Sequence, residues 1–139
     1  MVAGQVLDTD QLASGEADLR TLCALKTGAL IRAAAELGCI AAGAGEDARR
    51  RASDYAGHLG LAFQVRDDML DVTAREDELG KPIGSDQAAG KRTFVDLLGL
   101  DACAGLVARE TALACEALSG LADSGFLLEL ADSLADRRH

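Results

Sequence analysis

The feature that most constrains the fold is a helical pattern between residues 60 and 72. At about 100° per residue, Leu61, Val65, Met69 and Val72 fall in one row, which is the apolar face of an amphipathic helix. A polar strip lies beside this row. The rest of the chain shows almost no strand-like alternation and contains a single proline. The sequence therefore predicts an all-α protein.

The polar strip of this helix consists of Gln64, Asp67, Asp68 and Asp71. Asp67 and Asp71 are four residues apart, so in a helix their Cβ atoms lie about 6 Å from each other. Two unit charges 4 Å apart repel by roughly 4 kcal/mol at the effective dielectric of a protein surface. Water, protons or a cation would have to relieve this repulsion, and such oxygen ligands favour Mg²⁺. A helix end with extra acidic residues, or a capping cluster, explains the same pattern without a metal.

Further motifs flank the strip on both sides. In chain order the motifs are Gly4-Gln5-x-x-Asp8, Lys26-Thr27-Gly28-x-Leu30, Gly60-x-x-Phe63-Gln64-x-x-Asp67-Asp68-x-Leu70-Asp71, Gly80-Lys81, Gly84-x-Asp86 and Gly90-Lys91 with Phe94. Together they resemble the second aspartate-rich region and neighbouring motifs of the trans-prenyl diphosphate synthases, which include the farnesyl and geranylgeranyl diphosphate synthases. The resemblance implies one helical domain over residues 1–139, an antiparallel bundle equivalent to the C-terminal half of the isoprenoid synthase fold.

The resemblance also assigns roles to individual residues. The ammonium of Lys26 would bind a diphosphate oxygen, while Thr27 and Gln64 would stabilise an allylic cation with their oxygen dipoles. Taken alone, a lysine at a helix break such as Lys26 is usually a solvated charge at a helix end, and the loop residues on their own would be scattered surface charges. The implied catalytic residues are Lys26, Thr27 and Gln64; the implied substrate-binding residues are Lys26, Phe63, Lys81 and Lys91; the implied metal ligands are Asp67, Asp68, Asp71 and Asp86.

The implied reaction belongs to isoprenoid biosynthesis and condenses an allylic diphosphate with isopentenyl diphosphate, with Mg²⁺ on the leaving diphosphate. The family's first aspartate-rich motif and its Gly-Lys-x-x-Arg element have no counterpart in this sequence. We therefore expect the chain to act only with an N-terminal half, and to form a homodimer or to complement such a half. The alternative is a non-catalytic helical interaction module, a truncated relic of the fold.

Composition excludes several other classes of function. A net charge of −9 and 3% aromatic residues argue against nucleic-acid binding. No signal peptide or membrane span is expected, because charged residues interrupt every long apolar stretch, and we expect a cytoplasmic protein. The four cysteines lack CxxC spacing, which argues against zinc and favours reduced, packed thiols. They are Cys23, Cys39, Cys103 and Cys115.

The remaining pattern predicts further helices. One begins near Ser14 and breaks at Lys26, a long one begins at Glu46, and three follow Thr93. Within the long helix, His58 is predicted to be a packed core residue, and Arg66 is given no role. The basic tail of residues 137–139 resembles the cationic ends of family members, which can fold towards the diphosphate site.

Overall fold

The protein is described from a computed structural model, which covers residues 2–9, 15–73 and 92–137, without the side chains of residues 7–9. These residues form helices and no strand, so the all-α prediction is confirmed. None of their helices is both long and apolar enough to cross a membrane. The helices are α1 (Val2–Thr9), α2 (Glu16–Leu25), α3 (Thr27–Ala41), α4 (Glu46–Thr73), α5 (Phe94–Leu98), α6 (Leu100–Ala117) and α7 (Gly125–Asp136).

The predicted break at Lys26 separates α2 from α3. Helix α2 begins with a capping interaction in which the Gly15 backbone N–H donates to Asp18 Oδ2 at 3.2 Å, and this acidic residue also suits the positive end of the helix. Lys26 has φ −100° and ψ −89°, which are not helical values. The next helix begins at Thr27. The break therefore places the lysine and threonine of one motif at the junction of two helices.

Three glycines allow other backbones to approach this break. A Cβ added to Gly4 of α1 would lie 2.6 Å from the backbone nitrogen of Lys26, so no larger residue fits there without displacing the helix. A Cβ added to Gly60 of α4 would lie 3.0 Å from the Cα of Gly28 in α3. Since glycine lacks a Cβ, the backbones can meet at these distances. These contacts explain why glycine occurs in three of the motifs.

Helix α4 lies at the centre of the molecule and packs mainly against α3 and α6. Of its predicted apolar row, Val65 and Met69 are buried, Leu61 is half-buried, and Val72 at the helix end is 43% exposed. Two clusters of buried side chains include residues of α4 and lie at different positions along its axis. The first comprises Leu19, Cys23, Val65, Met69, Phe94, Cys103, Leu106 and Val107; the second comprises Tyr55, Leu59, Ala114, Leu118 and Ala131.

All four cysteines are free thiols, as predicted. Cys23 and Cys103 are buried in the first cluster, whereas Cys39 and Cys115 are half-buried. Burial, with a smaller contribution from the negative charge of Asp68, raises the pKa of the Cys103 thiol. A buried thiol with a raised pKa is an inert packing group.

A charged cluster, which we call the Glu110 cluster, joins α2, α4 and α6. The side chain of Glu110 is only 5% exposed. Its Oε2 lies 2.7 Å from His58 Nδ1, and its Oε1 accepts from Arg109 Nη2 at 2.9 Å and lies 3.6 Å from Arg20 Nη1. Burial alone would raise the pKa of Glu110, but the hydrogen bonds from His58 and Arg109 outweigh it and lower the pKa. The prediction that His58 packs in the core is wrong, because this side chain is 37% exposed and pairs with a carboxylate.

Candidate functional site

A chain of hydrogen bonds, which we call the polar seam, joins α3, α4 and the start of α5. Thr27 Oγ1 donates to Gln64 Oε1 at 3.3 Å, and Gln64 Nε2 donates to Asp68 Oδ1 at 3.0 Å. The backbone N–H of Phe94 donates to Asp68 Oδ2 at 2.9 Å. Only this orientation of the Gln64 amide turns its NH₂ group towards the carboxylate and its oxygen towards the threonine. The seam therefore fixes which end of the amide faces the break at Lys26.

The three acidic residues of the predicted strip lie in different environments. Asp68 and Asp71 are each 6% exposed, whereas the Asp67 side chain is 52% exposed. Burying a charged carboxylate is costly unless hydrogen bonds compensate for lost water, and the donors from Gln64 and Phe94 do so for Asp68. Asp68 thus has a structural contact on each oxygen, while Asp67 remains accessible.

The end of α7 contacts Asp67. Arg137 Nη2 donates to Asp67 Oδ1 at 2.8 Å, and the guanidinium lies over the Phe63 ring, 4.1 Å from its centroid. Arg66 Nε and Nη2 donate to the backbone carbonyl of Arg137 at 3.1 and 2.8 Å. Arg66, to which the sequence assigned no role in the site, therefore anchors the chain after α7. Of the basic tail, Arg137 lies at the acidic strip, and residues 138–139 lie outside the described part.

The donor set can be tested against a metal ion. Within the described part of the chain, no three Asp, Glu, His or Cys side chains come close enough together to hold one. One oxygen ligand for a hard cation is present, the accessible carboxylate of Asp67, which the Arg137 guanidinium contacts. Mg²⁺ commonly binds one or two carboxylates and completes its shell with water and phosphate oxygens. The arrangement suits that mode of binding better than a closed cage of protein ligands.

The structure brings together some of the predicted site residues. Thr27, Gln64 and Asp68 are joined by the polar seam, and Phe63 and Asp67 are joined through Arg137. Half-buried Lys26 directly precedes Thr27 at the break. Asp71 is buried one turn beyond Asp67. The predicted residues Lys81, Asp86 and Lys91 lie outside the described residues.

Comparison with known proteins decides the family. Residues 1–113 match the family model Polyprenyl synthetase. The chain belongs to this family. Within it, the chain is 42% identical over 106 residues to the farnesyl diphosphate synthase of Geobacillus stearothermophilus, covering 72% of this chain and 34% of the relative. It is 48% identical over 109 residues to the farnesyl diphosphate synthase of Escherichia coli, covering 73% of this chain and 35% of the relative. The chain therefore spans about a third of the length of these relatives.

Two solved structures of synthases have the same fold as this chain. The polyprenyl synthase of Caulobacter crescentus, solved with calcium and isoprenyl diphosphate, matches 99% of this chain and 56% of its own with a TM-score of 0.91 and 28% identity. The heptaprenyl diphosphate synthase of Staphylococcus aureus matches with a TM-score of 0.94 at 21% identity, over 99% of this chain and 56% of its own. The predicted isoprenoid synthase fold is confirmed.

Proposed function

We propose that this chain supplies one wall of the active site of a prenyltransferase that condenses an allylic diphosphate with isopentenyl diphosphate. Membership of the polyprenyl synthetase family supports the reaction class. The observation that carries the proposal for this chain is the polar seam, which runs from Thr27 through Gln64 to Asp68 beside the accessible Asp67. An ordinary solvated acidic face would not bury two of its three carboxylates.

In this proposal Asp67 binds Mg²⁺, with Asp68, Asp71 and Asp86 contributing directly or through water. The ion, when bound, would neutralise charge on the departing diphosphate. The Caulobacter relative was solved with calcium and isoprenyl diphosphate, which supports a divalent cation and a diphosphate as ligands. Asp68 has a further task, because its contact with Gln64 Nε2 orients the amide.

The residues at the helix break would act on the organic part of the reaction. Lys26 would bind a diphosphate oxygen with its compact ammonium. Gln64 Oε1 and the hydroxyl oxygen of Thr27 would stabilise the allylic cation as oriented dipoles that need no reorganisation. Phe63 would give the hydrocarbon an apolar surface that excludes water. Lys81 and Lys91 are proposed to bind the diphosphate from outside the described residues.

The expected partner, a second copy or an N-terminal half, stays a prediction. An apolar face on α3 supports it: Leu30, Leu37 and Ile40 are 61%, 64% and 54% exposed, and their spacing places them on one side of the helix. Exposed apolar side chains that share one side of a helix favour an interaction site there. Sedimentation equilibrium of the chain with and without an N-terminal segment would identify the partner.

A reconstitution assay tests the proposed function. Product formation from the two diphosphates with Mg²⁺ is measured for the chain alone and mixed with an N-terminal segment that carries a first aspartate-rich motif. We expect turnover in the mixture, a loss of at least about tenfold on Gln64→Ala, and weaker Mg²⁺-dependent pyrophosphate binding on Asp67→Asn. Asp101→Asn, at an exposed position at the start of α6, removes the same charge as Asp67→Asn and serves as its control.

One result would contradict the proposal. If neither preparation turned over and Mg²⁺ did not promote pyrophosphate binding, the chain would instead act as the non-catalytic helical module that the sequence left open.

A further inference from the structure

We propose that Arg137 is an internal substitute for the metal ion. Its guanidinium pairs with the carboxylate of Asp67 until a divalent cation displaces it. The inference rests on the proposed function, because it requires Asp67 to bind such a cation. It adds a competitor from within the same chain, and it makes the position of the Arg137 side chain depend on the metal.

Several contacts from α4 hold Arg137 at this position. The ion pair to Asp67 is 2.8 Å long, the guanidinium lies 4.1 Å from the centroid of the Phe63 ring, and Nη2 also donates to the Phe63 carbonyl at 3.4 Å. Arg66 donates two hydrogen bonds to the Arg137 carbonyl. A cation over an aromatic face is attracted by the ring quadrupole. The guanidinium is therefore placed at Asp67 by the fold and is not a surface charge that meets it by chance.

The ion pair has features of a replaceable contact. Only one N–H···O bond is formed with the carboxylate, whereas arginine–carboxylate pairs frequently form two parallel bonds, which are stronger. Arg137 Nε is buried and lacks a hydrogen-bond partner within the described part of the chain, and an unsatisfied buried donor is costly. Asp67 itself is 52% exposed, so an ion from solvent can reach it. Displacement would free the carboxylate and return Arg137 Nε to water.

Arg66 limits how far the displaced residue can move. It binds the main-chain carbonyl of Arg137 and not the guanidinium, so the backbone can stay anchored while the side chain turns away. Asp67 is the next residue on the same helix. The metal site and the end of α7 are therefore linked by neighbouring residues, and binding at one should affect the other reciprocally.

Calorimetric titration with Mg²⁺ alone tests the competition. We expect Arg137→Gln to bind Mg²⁺ roughly two- to fivefold more tightly than the native chain, which is the range expected from removing a partly exposed ion pair. Arg50→Gln, at an exposed position in the second turn of α4, removes the same charge from a pair with Asp47 and should leave the affinity unchanged. When Asp67→Asn is also present, Arg137→Gln should no longer change the affinity for Mg²⁺.

Nitrogen-15 NMR of the native chain gives a second readout that needs no substitution at Arg137. The Arg137 Nε–H signal should shift and exchange faster with water as Mg²⁺ is added. Suppose that Mg²⁺ binds at Asp67, that the Arg137 Nε–H signal does not shift, and that Arg137→Gln binds Mg²⁺ as tightly as the native chain. The substitution idea is then wrong, and the proposed function stands. If Mg²⁺ binds neither the native chain nor Arg137→Gln, the substitution idea fails, and the reconstitution assay with the two diphosphates decides the proposed function separately. Binding by Arg137→Gln alone, lost on Asp67→Asn, supports both.

Discussion

The polar seam and the Glu110 cluster both bury a carboxylate against α4, but the described contacts to the two carboxylates come from different kinds of group. Glu110 meets three side chains that carry or can carry positive charge, Arg20, His58 and Arg109. The described hydrogen bonds of Asp68 come from neutral donors, the Gln64 amide and the Phe94 N–H. Opposite charges stabilise an anion wherever they lie nearby, whereas dipoles do so only in one orientation.

The difference indicates what each region does. The Glu110 cluster joins three helices, and its charged groups pair with one another, so it is a structural element. The polar seam fixes the orientation of groups next to the break at Lys26, which suits a site where orientation matters for chemistry. We therefore expect changes in the cluster to reduce stability, and changes in the seam to disturb the geometry of the site.

The largest effect is expected from Glu110→Ala, which breaks the cluster. It removes the hydrogen bonds to His58 and Arg109 and should lower the free energy of unfolding by about 2–3 kcal/mol, as for hydrogen bonds to charged groups. Urea unfolding followed by circular dichroism measures it. Glu116→Ala, on the exposed face of the same helix, should cost less than about 0.5 kcal/mol. Equal costs for both variants would show that the cluster contributes nothing specific.

A smaller effect is expected from Gly60→Ala, which disturbs the seam through the backbone. The new methyl group would lie 3.0 Å from Gly28 Cα, so α3 and α4 must separate, at a net cost of about 1–2 kcal/mol. The separation should also lengthen the contact from Thr27 to Gln64, which a crystal structure of the variant would show.

The matched control for this glycine is Gly57→Ala. The nearest atom to its added methyl group is the flexible end of Arg32, also at 3.0 Å, which can move aside. Alanine favours a helix over glycine by roughly 0.5–1 kcal/mol, so this variant should be neutral or stabilised. A destabilisation as large as that of Gly60→Ala would argue against the close approach of α3 and α4.

The smallest expected effect is on the pH dependence of stability. It tests whether the carboxylate of the Glu110 cluster is stabilised by charged partners. The pKa of Glu110 is lower in the folded protein than its ordinary value of 4.5, so the unfolded chain takes up the proton first as pH falls. The stabilisation is full above the ordinary pKa and is lost as pH falls through the folded pKa. Unfolding midpoints between pH 7 and pH 3 should fall less steeply in Glu110→Gln. An identical slope would mean that this carboxylate does not contribute to acid sensitivity.

The sequence predicted those parts of the molecule that depend on local pattern. The break at Lys26, the start of α4 at Glu46 and the apolar row at Val65 and Met69 follow from glycine placement and helical periodicity, and the structure confirms them. The motif glycines were visible, but the backbone that each one meets was not, because such contacts join residues far apart in the chain.

The contacts that could not be predicted from the sequence join residues that are far apart in the chain. His58 and Glu110 are 52 residues apart, and Arg66 and Arg137 are 71 residues apart, so no local pattern connects them. The Phe94 donor to Asp68 is a backbone N–H, which has no residue signature. Periodicity placed Asp67 and Asp68 on one strip, but only packing shows that Asp68 is buried while Asp67 faces solvent.

Helix α4 runs through both regions as 28 residues without interruption, a length of about 42 Å. His58 and Gln64 are six residues apart on it, so the two regions are separated along the axis by about 9 Å of regular helix. A protein engineer could therefore raise thermal tolerance through substitutions around Glu110 and leave the spacing of the chemical groups intact. Insertions or deletions between the two positions would rotate one end of the helix relative to the other, and are the changes that such a design should avoid.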